Sequence, residues 1–398
     1  MNHTSTHPPV AREELVDALR GIALFGILAV NIQFFAGILG MPSLGVLDAA
    51  SSPADHAAVL LTALLLEFKF YPIFCFCFGY GFAIQSRRWI ARGEPVRPRF
   101  LRRMEAMLFM GVLHGSLLWF GDILSRYALG GFVMSRYLGK GPKSLWRTAK
   151  FWLVLAAVFT VLGAWAASAA SSDMPPLDSA REGGRTGVEA AYVYGDYAAA
   201  TAQRLKDYAL MTIGFIFYLP QIILIFLMGA IAAQLGVLRR PDRFRGFWRR
   251  MLAIGLVIGI PVNFVFAWQQ WSTSRAPVAG GNAVSALAGE LAPILSIALV
   301  AGLVLLAERP IGRAFVRMVA PAGRLALSLY IAESLLMAGL LSGFGLGLGA
   351  KLRQAELLAL GVALYLILLA ASHAMARAGM AGPLETLWRR YTYATSAR

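Results

Sequence analysis

The chain has 398 residues, 58% of them hydrophobic and only 15% charged, and a formal net charge of +16. A soluble chain of this length carries about a quarter charged residues and splits into two or three domains. Here the charges fall in short blocks between apolar runs of about 20 residues, the length at which a helix spans a bilayer. The basic excess therefore reads as a membrane-topology signal, and nucleic-acid binding is excluded as its cause.

Lipid offers the backbone no hydrogen bonds, so the long apolar runs are helices. The sequence predicts one all-α, polytopic transmembrane domain over 1–398 with about ten spans: 21–40, 58–86, 104–121, 123–138, 148–170, 209–235, 251–269, 286–306, 324–345 and 356–377. The first span is an anchor and not a cleaved signal. Arg12, Glu13, Glu14, Asp17 and Arg20 give it no positive flank, its run is too long, and no small-residue cleavage site follows. The second is long enough to tilt, to kink near Pro72 or to begin outside the bilayer. It holds the only two cysteines, Cys75 and Cys77, in Phe-Cys-Phe-Cys-Phe. A spacing of two on a helix turns them to different faces, which argues against a disulfide or a metal site and for apolar packing. The fourth span is short. After the fifth comes a polar stretch, 171–208, opening with Ser-Ser-Asp-Met-Pro-Pro. From Val188 to Tyr208 its spacing is compatible with a helix, and the stretch is either a lid over a site or a loop. No internal repeat is visible.

Orientation follows from the basic residues. With the N-terminal tail in the cytoplasm and ten alternating spans, the inner segments hold 28 of the 37 Lys and Arg and the outer segments 7. Both termini are then expected inside, and 171–208 outside.

Polar groups inside a bilayer are expensive and mark candidate sites. Counting helical rise, Asn31 lies about 16 Å beyond Arg20, His114 about 18 Å beyond Arg102, and Glu333 about 14 Å beyond Arg324. Glu67 and Lys69, counted from the outer end, reach the same level. A shared polar cavity would place Asn31, Glu67, Lys69, His114 and Glu333 at one depth. Each also has a structural reading: His114 bonded to a carbonyl, Lys69 and Glu333 as a buried ion pair, Asn31 as a link between helices. The densest polar stretch is His114-Gly-Ser-Leu-Leu-Trp-Phe-Gly-Asp122-Ile-Leu-Ser-Arg-Tyr127. On a continuous helix His114 and Asp122 share a face but stand about 12 Å apart. Asp122 orients His114 if the chain bends at Gly121 or a water bridges them; otherwise it caps the fourth span.

The motifs Asp17-Ala-Leu-Arg20 through Asn31, Lys69-Phe, Phe78-Gly79, His114-Gly115, Gly121-Asp122-Ile-Leu and Tyr127-Ala-Leu stand in order along the chain. They continue in Gly323-Arg324-Leu-Ala-Leu-Ser-Leu-Tyr330 and Gly382-Pro-Leu-Glu385-Thr-Leu-Trp388-Arg389. In these the chain resembles the YeiB-like family of bacterial inner-membrane proteins. The resemblance is ordered and nearly full-length, but the family's C-terminal half is described only as a domain of unknown function. Arg20 and Asn31, with ten residues between them, are also similar to the first helix of transmembrane acyltransferases such as heparan-α-glucosaminide N-acetyltransferase. That superfamily has ten or so spans and passes acyl groups from cytoplasmic acyl-CoA to acceptors on the far side. Its heparan member carries a catalytic histidine between the first two spans. His56 is the nearest candidate here, in a setting that does not match, whereas His114 has the better surroundings.

The resemblance implies a membrane-bound acyltransferase, and the residues offer an independent basis. Acyl-CoA, in the form of acetyl-CoA, would be the donor, with a small molecule or glycan as acceptor and no metal. Arg20, Arg99, Arg102 and Arg103 are candidates for the donor phosphates, since the planar guanidinium pairs bidentately. His114 and Asp122 are the catalytic candidates, and Asn31, Glu67, Lys69, Tyr127 and Glu333 line the acceptor. The alternatives are a permease using the same polar groups and a non-enzymatic lipid-binding protein.

Overall fold

The computed structural model describes residues 14–36, 47, 51–170, 190–275 and 283–393. These residues form fourteen α-helices and no strand. Seven stretches are long and apolar enough to cross a membrane: Glu14–Phe35, Pro53–Ala91, Pro142–Trp165, Tyr197–Leu235, Arg245–Ser272, Leu287–Leu306 and Gln354–Arg377. Pro310–Arg324 and Ala326–Leu341 make an eighth if the 77° bend between them is counted within one span. The chain is a multi-pass all-α membrane protein, and large side chains such as Phe109, Trp165, Leu210, Ile213 and Val257 stand exposed where lipid would cover them.

The core is built around α1 (Glu14–Phe35), buried along Ala18, Leu19, Ala23, Leu24, Leu28 and Ile32. α2 (Pro53–Leu61) opens with a capping box at Ser52 and Asp55, then passes through a π turn, Thr62–Leu66. The chain breaks at 67–69 before α3 (Phe70–Ala91), so the long second apolar run is one interrupted helix. α3 crosses α7 (Tyr197–Leu235) at near backbone contact. A Cβ at Gly79 would strike the Phe226 carbonyl, and one at Gly229 the Phe76 carbonyl.

Two stretches that read as spans pair differently. α4 (Val96–Leu117) begins in Arg97, Arg99, Arg102 and Arg103. α5 (Leu124–Met134) has only 11 residues, about 16 Å of helix against a hydrocarbon core of about 30 Å. The two form a hairpin that turns back at 118–123. α6 (Pro142–Ala170) follows. Residues 171–189 of the polar stretch lie outside the described residues. Its later part is helical as the spacing predicts: α7 starts at Tyr197, capped by Asp196 accepting from Ala199 N–H at 2.8 Å, and runs on through the next apolar run.

The C-terminal half adds α8 (Arg245–Arg275), α9 (Ala283–Leu291), α10 (Ile294–Leu306), α11 (Pro310–Arg324), α12 (Ala326–Leu341), α13 (Gln354–Arg377) and α14 (Pro383–Tyr393). α11 meets α1 where Gly21 and Gly323 let the backbones touch. α14 is a clamp. Its Glu385 accepts from Leu327 N–H at 2.8 Å, Ser328 N–H at 3.1 Å and the Ser328 hydroxyl, so a carboxylate sits on the positive N-terminus of α12. Trp388 donates its indole N–H to the Arg103 carbonyl at 2.8 Å and stacks under the Arg103 guanidinium, tying α14 to α4 as well.

Candidate active site

α4 stops at Leu117 because its last carbonyls find other partners. Arg204 Nη1 and the Tyr197 hydroxyl both donate to Leu117 O, at 2.7 and 3.0 Å, and Leu118 and Trp119 N–H both return to His114 O. The chain reverses through Gly121 and brings Asp122 back beside His114. A Cβ at Gly111 would collide with Ser125 N and Asp122, so the small residue one turn before His114 is what admits the returning strand. Of the two roles open to Asp122, it fills both. Oδ1 accepts from Leu124 N–H at 3.1 Å, and Oδ2 from Ser125 N–H at 2.7 Å and the Ser125 hydroxyl at 2.6 Å, capping α5. Oδ1 also lies 2.9 Å from His114 Nδ1.

An ionised Asp122 can only accept, so Nδ1 is the nitrogen that donates to it, and a neutral imidazole so held has its lone pair at Nε2. Nε2 lies 2.9 Å from Ser334 Oγ on α12. All three residues are buried: Asp122 and Ser334 at 0% exposure and His114 at 2%. A hydroxyl, an imidazole and a carboxylate thus stand in one line at hydrogen-bond spacing. Tyr330, one turn before Ser334, packs its ring 4.8 Å from the His114 ring, and its hydroxyl accepts from Ile123 N–H at 3.3 Å. Trp119 and Phe120 close one side of the turn, Trp119 stacked on Phe35 at 4.4 Å and Phe120 facing Tyr192 at 5.8 Å. Burial, and then its 2.6 Å hydrogen bond to Asp207, push the Tyr192 hydroxyl above its ordinary pKa.

A cavity of about 240 Å³ lies beside this cluster: Ile123, Leu124 and Tyr330 line it, whereas His114, Asp122 and Ser334 do not. Arg20, Arg103 and Arg324 stand on its wall with Phe74, Phe78, Phe82, Phe100, Met104 and Met107, and Tyr127, Ile123 and Tyr330 form its inner end. Arg20 and Arg324 both reach Asp17, at 3.2 and 3.9 Å. A second cavity of about 680 Å³ shares Arg20, Gly81 and Gln85 with the first and adds Arg87, Arg88 and Arg239.

The other sequence-predicted residues divide. Tyr127 is at the cavity's inner end, donating to Tyr71 O at 3.0 Å and accepting from the Cys75 thiol at 3.1 Å. Arg99 pairs with Glu94 and Arg102 is half-buried, and neither lines either cavity. Asn31 is half-buried on α1, with no hydrogen bond to the His114 cluster among the described residues. Glu333 is buried, but it sits about 100° around α12 from Ser334. Among the described residues no ion pair joins it to Lys69. Glu67 and Lys69 form a separate cluster at the α2–α3 break. Lys69 is wholly buried, its ammonium donating to Ala63 O at 2.5 Å and lying 5.4 Å from the Phe266 ring centre. Glu67 lies beside Gln270, yet among the described residues neither Glu67 Oε2 nor Gln270 Nε2 has a hydrogen-bond partner.

Ser334, Tyr330 and Arg324 are the site residues that sequence reading passed over. Ser334 stands next to Glu333, whose charge draws the attention, and Arg324 entered only as a topology and depth marker and a residue of the family motif.

Residues 232–395 match the family described as protein of unknown function DUF418. The chain is 28% identical to the uncharacterized protein YxaH of Bacillus subtilis, over 98% of this chain and 97% of that one. It is 28% identical to the uncharacterized protein YeiB of Escherichia coli, over 96% of each. No solved structure matches the chain. With the motifs spread from α1 to α14, the chain is similar over nearly its whole length to YeiB and YxaH, and its C-terminal part matches the DUF418 family.

Proposed function

We propose that the protein is a membrane-embedded acyltransferase of the bacterial cytoplasmic membrane. It takes an acyl group, acetyl in the simplest case, from cytoplasmic acyl-CoA and passes it to an acceptor in or across the bilayer. The observation that carries this reading is the cavity that leads from Arg20, Arg103 and Arg324 to Tyr330, whose ring packs on His114. Coenzyme A needs cations for its phosphates and a long narrow path for its pantetheine arm. The larger basic cavity suits the nucleotide, with Arg87, Arg88 and Arg239 for phosphate, and the Phe- and Met-lined cavity suits the arm. The thioester would then stop near His114, which Asp122 holds as the tautomer able to take a proton at Nε2. The basic bias supports placing this mouth in the cytoplasm and 171–208 outside.

The test is ligand-induced stabilisation of the detergent-solubilised protein. Acetyl-CoA should raise the melting temperature. Arg103→Glu and Arg324→Glu should weaken the shift, whereas Arg102→Glu, away from both cavities, should keep it. No shift at millimolar acetyl-CoA sinks the reading. Transport of a small metabolite is the second reading, favoured by the interrupted helix at 67–69, because transporters bind at such breaks. It gains if proteoliposomes take up a metabolite and acetyl-CoA does nothing.

A further inference from the structure

We infer that Ser334 is the nucleophile of this site and that transfer proceeds through an acyl-Ser334 ester. This deepens the acyltransferase reading and rests on it for the identity of the donor. Nothing in a histidine-only mechanism calls for a buried hydroxyl at the lone-pair nitrogen. Here that nitrogen is occupied: Ser334 Oγ lies 2.9 Å from His114 Nε2, while Asp122 fixes Nδ1 at 2.9 Å. An acceptor approaching His114 would first have to displace Ser334. A hydroxyl in an apolar helix ordinarily donates to the carbonyl four residues back. Ser334 has Tyr330 O there at a long 3.3 Å, with the shorter 2.9 Å contact to the imidazole.

The chemistry balances. Ser334 Oγ attacks the thioester carbonyl as its proton passes to His114 Nε2. The carbon–sulfur bond breaks, the sulfur leaves with that proton as the free thiol of coenzyme A, and the acyl group stays as an ester on Oγ. An acceptor hydroxyl or amine then gives its proton to Nε2 and attacks the ester, and Ser334 Oγ takes the proton back. Tyr330 stands at the inner end of the donor cavity, one helical turn from Ser334. Its hydroxyl accepts from Ile123 N–H and its own proton has no acceptor among the described residues, which makes it the candidate donor to the developing oxyanion.

The full-length protein in detergent is incubated with acetyl-CoA and no acceptor, quenched in acid and mapped by peptide mass spectrometry. A parallel sample receives a fluorophosphonate. One acetyl group and one phosphonyl group are expected on the peptide carrying Ser334, and both are absent from Ser334→Ala. That variant should keep the wild-type acetyl-CoA melting shift, because it removes one oxygen, and lose at least about a thousand-fold in turnover. Acetyl-CoA turnover with an active Ser334→Ala and no adduct overturns the serine and leaves acyl transfer standing. A fluorophosphonate adduct at Ser334 with no response to acetyl-CoA supports the nucleophile and overturns the donor. Absence of either adduct at Ser334, with no turnover, overturns both.

Discussion

Two of the interruptions in this protein's helices, the turn at 118–123 and the break at 67–69, are resolved in opposite ways. At 118–123 the backbone and carboxylate groups of the turn are answered, and Trp119 Nε1 is the one buried side-chain atom of the turn without a partner among the described residues. Arg204 and Tyr197 cover the Leu117 carbonyl, and Asp122 gathers two backbone N–H groups, a serine hydroxyl and His114. At 67–69 the chain turns through Phe68 at φ +62°, the only non-glycine residue with positive φ among those described. Beside it, among the described residues, Glu67 Oε2 and Gln270 Nε2 have no hydrogen-bond partner. A satisfied buried network is rigid, and rigidity is what a proton-transfer line needs. An unsatisfied one stores strain, which persists only when its surroundings hold it. The first break reads as a machined site. The second reads as a point of tension that has a binding role only if something fills it.

The largest effect separates chemistry from stability at the first break. His114→Ala should lower acetyl-CoA turnover by at least about a thousand-fold. It should leave the protein folded, because Asp122 retains its three donors in α5. Normal turnover in this variant would end the mechanism. Asp122→Ala should instead destabilise by about 3 kcal/mol, since two backbone N–H groups and a hydroxyl lose their buried acceptor. Asp122→Asn, which keeps the carbonyl oxygen, should cost less. Thermal unfolding that ranks these two in the reverse order would remove the capping role assigned to Asp122.

How much of this was legible in the sequence follows from what each signal encodes. Apolar runs gave the membrane fold and most helices, since length and composition suffice for that. They overstated α5, because hydropathy does not count how many residues remain helical after a turn. Helical rise placed His114, Glu67, Lys69 and Glu333 near one depth, but depth carries no azimuth. The residues therefore separate into two clusters, with Glu333 turned away from Ser334. The His114–Asp122 contact depended on a bend that Gly121 permits and Gly111 makes room for, a tertiary fit that spacing alone does not state. Ser334 left no signal, because a neutral hydroxyl costs a membrane helix little once it has any acceptor.

The second break yields the smaller effects and the sharper contrast. Lys69→Met should destabilise by about 2 kcal/mol, because it leaves Glu67 buried opposite no cation. The Glu67→Gln, Lys69→Met pair should return to within about 1 kcal/mol of the parent, since removing both members of a buried charged pair is often neutral. The cycle over the four proteins reads their coupling, expected at about 1–3 kcal/mol for groups that depend on each other. No such rescue should exist at the first break, where Asp122 answers backbone donors that no second substitution removes. If the double variant is as unstable as Lys69→Met alone, Glu67 is not the group that Lys69 balances, and the Ala63 carbonyl and the Phe266 ring are what hold the lysine in place. If the double variant is stable yet has lost turnover, the second break belongs to the working site, and the division between the two breaks fails as a division between function and tension.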